Sequence, residues 1–394
     1  MALTPVRTHR RGGKPDYQDF SHTGPGTLAG RYLRRFWQPV ARAEDLPPGR
    51  ARPIRVMNED FTLYRGESGT PHVVAPRCAH RGTQLSTGWV EGDCIRCFYH
   101  GWKYDASGQC VEMPAEDPSF PPRIKVASYP TQEYLGLIFA YFGDAERDDT
   151  GALRPPPLPR YPFLEDPDPA RSVRIVHTDV RPYNYRNRIE NSVDPVHVAF
   201  VHRNSEYRGL TGCPSVTAEE TDYGMILHSL RPGGSIRVTQ FQMPTILHIK
   251  QHPSYPEETA WRDFLAWRVP VDDESNHIFS VGVVYVSGEA AQRLREQAEQ
   301  RVAEDPAPAL GEAILAGDMH VDEVDNLVAA VNVQDYVAQR GQGVIADRQH
   351  ERLGRSDVGV ILLRKLYARE LQALAEGRPL KDWQPLTPVA TVGL

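Results

Sequence analysis

Four residues between Glu190 and His202 have the types and spacing to do chemistry: Asn191, Asp194, His197 and His202. The first three fall three apart, which on a helix gathers a carboxamide, a carboxylate and an imidazole on one face. His202 comes five residues after His197, and five residues turn a regular helix by a net ~140°. The two imidazoles therefore meet only if the element bends. Pro195 supplies the means, since it removes a backbone hydrogen bond and presses on the carbonyl four residues back. Two imidazoles completed by a carboxylate make a facial set for a ferrous ion. A polar helix with two unrelated histidines fits the same four residues, and this pattern alone does not decide.

A second pattern lies upstream. Cys78-Ala79-His80 and Cys97-Phe98-Tyr99-His100 each offer one thiolate and one imidazole, sixteen residues apart. In extended chain, residues two apart point the same way, and a tight loop brings residues three apart together. Two Cys and two His can hold zinc, or a [2Fe–2S] cluster with the cysteines on one iron and the histidines on the other. Zinc modules usually pair Cys with Cys and His with His; the mixed pairs here favour the cluster. Cys94 also stands three before Cys97, but it sits in a strand-like Cys94-Ile95-Arg96 and reads as a packing residue. Cys110 and Cys213 read as ordinary small buried residues.

The elements that must position these groups follow from patterning. Alternating apolar residues over 54–56, 61–64 and 135–139 predict a small antiparallel β domain at 37–153, preceded by a helical segment, 1–36, with its helix at 27–36, packing on the second domain, 171–394. Seven prolines between 155 and 169 exclude regular structure and mark a stiff connector, 154–170. Beyond it, 171–394 reads as α+β. A strand at 171–181 and the bent helix at 184–204 precede strands over 214–286. Helices follow at 289–304, at 325–339 and, capped by Ser356 and Gly377, at 357–376.

The 394 residues suffice for two domains, and 40% hydrophobic with 24% charged residues is ordinary for a soluble globular protein. A net charge of −6 gives no basic face for nucleic acid. No stretch approaches the ~18 apolar residues of a membrane span. The basic start, residues 1–14, lacks the apolar run of a signal peptide. Five cysteines do not make a disulfide scaffold and fit a reducing cytoplasm.

Through Cys78-x-His80-Arg81-Gly82 and Cys97-x-x-His100-Gly101-Trp102-x-Tyr104-Asp105 the chain resembles Rieske proteins. Thr83 and Tyr99 stand where the respiratory-chain versions carry extra cysteines. Joined to Asn191-x-x-Asp194-x-x-His197-x-x-x-x-His202, the pattern is similar to the double signature of the Rieske non-haem iron oxygenases, over nearly the whole chain. The resemblance implies an N-terminal all-β [2Fe–2S] domain and a helix-grip-type catalytic domain, an antiparallel sheet with a long C-terminal helix. It implies cluster ligands Cys78, His80, Cys97 and His100, and a mononuclear Fe(II) on His197, His202 and a downstream acid. Asp318, Asp322, Glu323, Asp325, Asp335 and Asp347 are candidates. The stretch Asn332 to Gly343, with the tail from Ala346 through Ser356-Asp357 to Ile361, resembles the phthalate-dioxygenase-like branch and points to Asp335.

The same resemblance implies a terminal oxygenase component that hydroxylates an aromatic, often carboxylated, substrate, with dioxygenation the first expectation and monooxygenation or O-demethylation the second. A soluble electron carrier without oxygenase activity is the remote alternative. Electrons come from NAD(P)H, and since the chain shows no Gly-x-Gly-x-x-Gly after a strand, the resemblance implies a separate reductase, with or without a ferredoxin. Subunits are expected to pack head to tail as a trimer, Asp194 bridging its own iron site and a neighbour's cluster histidine, His100. Asn191 is assigned to site support. Tyr99 and Trp102 are expected to shield the cluster, and Arg203, Arg208 and Arg237 are candidate substrate anchors.

Overall fold

Strand-forming residues alternate through the first half of the chain, and in the computed structural model they pair accordingly. The structure describes residues 16–144, 146–147, 153–165, 172–205, 212–251, 262–303, 305–325 and 327–389. Arg50–Val56, Glu59–Arg65, Pro71–Val74 and Ser128–Tyr129 form one antiparallel sheet. Trp37–Arg42, Leu137–Tyr141 and Thr131–Tyr134 form a second. Trp89–Glu91, Cys94–Arg96, Lys103–Tyr104 and Cys110–Glu112 form a third, over its own small core of Tyr64, Val74, Leu85, Ile95, Tyr104 and Met113.

The second half is one seven-stranded antiparallel sheet in the order Val173–Arg181, Asn276–Val284, Arg262–Pro270, Ile246–Gln251, Ile236–Gln242, Gly224–Leu230, Ser215–Glu220. The fold is thus α+β, with the large sheet backed by helices. Helix α1 spans Leu28–Leu33, with Thr27 Oγ1 accepting from Gly30 N at its start. Tyr185–Ser192 (α2) and His197–Val201 (α3) follow the connector. Gly288–Ala303 (α4), Ala307–Ala316 (α5), Leu327–Arg340 (α6) and Val358–Ala375 (α7) complete the set. The patterning missed α5. It also named Ser356 as the cap of α7, whereas Arg355–Asp357 is a separate 3₁₀ turn and Asp357 stands at the cap position.

Helix α7 lies across the far strands of the sheet, and Gly359 sets how closely. A Cβ there would meet Val193 O at 2.2 Å and Leu227 Cδ2 at 2.6 Å. Only a residue without a side chain lets α7 pack against both the sheet and the segment that joins α2 to α3.

The proline-rich connector is more ordered than its composition suggests. Pro162–Leu164 makes a 3₁₀ turn, Trp37 Nε1 donates to Pro156 O (2.8 Å), and Leu158, Tyr161 and Leu164 are buried. Pro167 and Pro169 lie outside the described residues. One hydrophobic core runs from the N-terminal sheets into the large one: Trp267 packs edge-on to Phe139 and Tyr161, and Phe20 stacks on Tyr367 at 4.1 Å.

Candidate metal centres

The two Cys/His loops are built alike. Cys78 N donates to Thr83 O (2.8 Å) and Gly82 N to Cys78 O (3.0 Å). Cys97 N donates to Trp102 O (2.8 Å) and Gly101 N to Cys97 O (3.0 Å). Each loop closes through a glycine at φ +76°, a conformation costly for other residues. The fold brings the loops together, with the rings of His80 and His100 4.5 Å apart. Both cysteines are buried, His80 is half-buried and His100 is exposed, so the thiols lie inward and the His100 imidazole faces the surface. His80 Nδ1 is buried without a hydrogen-bond partner, as a nitrogen kept for a metal would be. Burial pushes the Cys97 thiol up, a cost that metal binding reverses by taking the thiolate.

Two neighbours act on this site. Tyr104 OH lies 3.2 Å from Cys78 Sγ and accepts from Ala79 N at 3.1 Å. Trp102 is buried and stacks on His80 with centroids 4.5 Å apart, a shield as expected. Tyr99 is not: it is 52% exposed and lies on the rim beside His100. Cys94 is half-buried in its strand and Cys110 is buried, but Cys213 is exposed, contrary to expectation.

The second centre is assembled from two distant helices. Asn184 caps α2 by accepting from Arg186 N (2.9 Å), and the helix ends at Ser192. Pro195 has no N–H to continue it, and Asp194 Oδ1 accepts from Val196 N (3.0 Å) in the turn. His197 then opens α3 and His202 follows its last residue. The element is broken rather than bent, so Asn191, Asp194 and His197 do not share one helix face. Asn191 contributes its carbonyl to the turn, accepting from Asp194 N.

The imidazoles nevertheless converge, 5.4 Å between ring centroids, and α6 brings Asp335 to them. Asp335 Oδ1 lies 3.8 Å from His197 Nε2 and 3.4 Å from His202 Nε2. One ligand atom from each residue lies within 4.8 Å of the others. Asp335 Oδ1 is buried with no hydrogen bond. Burial alone would raise this carboxyl, but His202, His197 and Arg188 outweigh it and hold it well below the ordinary range. Burial pushes His197 down, toward the neutral imidazole a metal requires.

The far ring nitrogens are occupied. His197 Nδ1 meets the Asp194 carbonyl, with Asp194 Oδ2 at 3.9 Å, and His202 Nδ1 lies 3.1 Å from Gln334 Oε1. Both Nε2 atoms are thereby turned toward Asp335, the arrangement that fixes the tautomer of ligand histidines. None of the five rival acids joins this group among the described residues, and three are used elsewhere: Asp322 accepts from Asn204, Glu323 from His320 N and Asp347 from Gln349 N. Sequence reasoning missed Gln334, whose only signal is that it precedes Asp335. It quoted Tyr104 without seeing a role.

Residues 36–130 match the family model described as the Rieske [2Fe-2S] domain. The oxygenase subunit of 5,5'-dehydrodivanillate O-demethylase from Sphingobium sp. (strain NBRC 103272 / SYK-6) is 31% identical over 375 residues, covering 92% of this chain and 81% of that protein. Phenoxybenzoate dioxygenase subunit alpha from Ectopseudomonas oleovorans is 31% identical over 396 residues, covering 93% and 87%. The chain belongs to the Rieske non-haem iron oxygenases. It is a terminal oxygenase of the phthalate-dioxygenase-like type, and an oxidoreductase. The fold agrees: the oxygenase of carbazole 1,9a-dioxygenase, solved in its reduced complex with ferredoxin, superposes with a TM-score of 0.62 at 20% identity, covering 92% of this chain and 95% of that one. NdmB of Pseudomonas putida CBB5 gives 0.63 at 21%, covering 88% and 93%. Among the described residues of this oxygenase no helix is long and apolar enough to cross a membrane.

Proposed function

We propose that this oxygenase oxidises an aromatic, carboxylated substrate with O2 at one ferrous ion held by His197, His202 and Asp335. Electrons arrive from a separate NAD(P)H-dependent reductase, with or without a ferredoxin, at a [2Fe–2S] cluster on Cys78, His80, Cys97 and His100, in the cytoplasm. The observation that carries this reading is the convergence of two imidazole nitrogens and one orphaned carboxylate oxygen within 4.8 Å. When bound by these three residues, a ferrous ion would supply the reductive activation of O2. Asp194 and Gln334 orient the two imidazoles, and Asn191 supports the turn that leads from α2 into His197.

The exposed imidazole of His100, flanked by half-exposed Phe98 and Tyr99, favours transfer across a head-to-tail trimer contact. There it would meet the partly exposed Asp194 of a neighbour.

The carboxylated substrate is favoured by two arginines on the helix-facing side of the sheet, Arg268 buried and Arg237 partly so. Leu227 faces α7. Thr239 pairs with Leu227, Ile249 with Thr239 and Phe264 with Ile249, so alternation places Arg237 and Arg268 on the same face. Arg268 is 5% exposed, and its Nε and Nη1 have no hydrogen-bond partner. Burial and the neighbouring Arg188 push it down to about 9. A carboxylate joining it would relieve that cost. Of the other candidates, Arg203 lines an outward cleft of about 640 Å³ with Phe200 and Gln334, and Arg208 lies outside the described residues.

Dioxygenation is the first reading. O-demethylation is the second, favoured by the likeness to the O-demethylase subunit. Turnover under 18O2 with a surrogate reductase separates them. Dioxygenation leaves two labelled oxygens on the ring, whereas demethylation releases formaldehyde and leaves the phenol oxygen unlabelled. No substrate-dependent O2 uptake across a panel of aromatic carboxylates and methoxybenzoates would sink both and favour an electron carrier.

A further inference from the structure

The proposed iron site needs two helices encoded some 130 residues apart to arrive at one point. We infer that Asn187 is the positioning residue that sets their separation, a role that rests on the iron reading. Asn187 lies on α2, 1% exposed, one turn before the chain leaves toward His197. Its Nδ2 donates to Gln339 O (3.1 Å) and to Gly343 O (3.0 Å), at and just beyond the end of α6. Its Oδ1 accepts from Arg348 Nη2 (3.1 Å). Both amide hydrogens and the oxygen are thus committed, and they join the helix leading to both histidines with the end of the helix that carries Asp335.

The clamp is anchored from behind. Arg348 Nε donates to Glu190 Oε2 (3.0 Å), one turn along α2 from Asn187, and its Nη1 donates to Ala346 O (2.9 Å). Arg364 of α7 grips the same carboxylate with Nε at 2.8 Å and Nη2 at 2.9 Å, and Arg186 adds Nε at 2.9 Å. Asn184 N donates to Val344 O (2.7 Å) and fixes the same loop one turn earlier. Asn187 faces two carbonyls and one guanidinium, so the position needs two donors and one acceptor on a short stem. Aspartate has no donor to offer, and an apolar residue takes the side-chain donor away from both carbonyls, while Arg348 keeps its bond to Glu190.

The test is Fe2+ affinity, titrated anaerobically into metal-depleted protein and read as the high-spin EPR signal of the nitric oxide adduct. Leu265→Ala, a core change on the opposite sheet face, serves as a control for general destabilisation. Asn187→Ala is expected to weaken Fe2+ binding at least ~10-fold, with the visible spectrum of the cluster unchanged. Arg348→Met, which keeps the stem but offers no donor to Asn187 or Glu190, is expected to weaken Fe2+ binding in the same direction. Fe2+ affinity in both variants equal to that of Leu265→Ala would overturn the inference alone. A wild-type chain that binds no Fe2+ would overturn the iron reading and this inference with it.

Discussion

Tyr104 is the residue at which the cluster loops are most open to adjustment by the protein. Its hydroxyl is 3.2 Å from Cys78 Sγ, and a hydrogen bond to a cluster sulfur favours the reduced form by spreading its added charge. Tyr104→Phe removes the bond and keeps the ring. The expected result is a lower cluster reduction potential, in a redox titration followed by the visible spectrum, with the cluster retained. An unchanged potential would show that the hydroxyl only satisfies Ala79 N. Gln334 has the matching place beside His202: a neutral oxygen that accepts from Nδ1–H without adding charge.

At the scale of elements, α2, α6 and α7 are held together by close approach and by buried charge. Gly359→Ala would place a methyl group 2.2 Å from Val193 O. The segment from Val193 to Val196 must then move or α7 must lift, at a cost of about 1–3 kcal/mol. The expected outcome is a lower Tm together with weaker Fe2+ binding, since that segment leads directly into His197; a lower Tm with Fe2+ binding intact would mean that α7 alone gives way. Glu190 makes a separate, pH-dependent contribution. Burial raises its carboxyl, but Arg364, Arg186 and Arg348 outweigh this and lower it to about 2, from an ordinary 4.5. A depressed carboxyl stabilises the fold above its unfolded value, and that stability is lost as pH falls from about 4.5 toward 2. Its size is on the order of 3 kcal/mol. Denaturant titrations from pH 6 to 3 should therefore show a steeper loss for wild type than for Glu190→Gln, which starts less stable. Parallel curves would remove Glu190 from the acid response.

For the whole molecule, the proposed function would pass electrons from one copy's cluster to another copy's iron. The exposed histidine side of the cluster and the partly exposed Asp194 belong to surfaces that a second copy can bring together. If electrons cross between copies, a Cys97→Ser chain lacking the cluster and an Asp335→Ala chain lacking the iron should complement when co-expressed in one oligomer. Each alone should be inactive. Inactive mixed oligomers, with the intact metal present in each partner, would count against transfer between subunits.

The sequence alone carried the ligand sets proposed for the two metals. Metal ligands must be particular residue types at short spacing, so Cys78-x-His80, Cys97-x-x-His100 and the His197/His202 pair were legible as local patterns, as were the alternating strands and the long last helix. Only the tertiary structure decided what depends on separate segments meeting. It joined Asp335 on α6 to the histidine pair, paired Gln334 with His202, and left Asn191 outside the converging set. It ended one helix at Ser192 and began the next at His197 where a bend at Pro195 was expected, because Pro195 has no N–H to continue the helix and Asp194 accepts from Val196 N in the turn. It also packed the proline-rich connector into a core shared by both halves. Such relations are fixed by distance and burial across the fold, and local spacing carries no record of either.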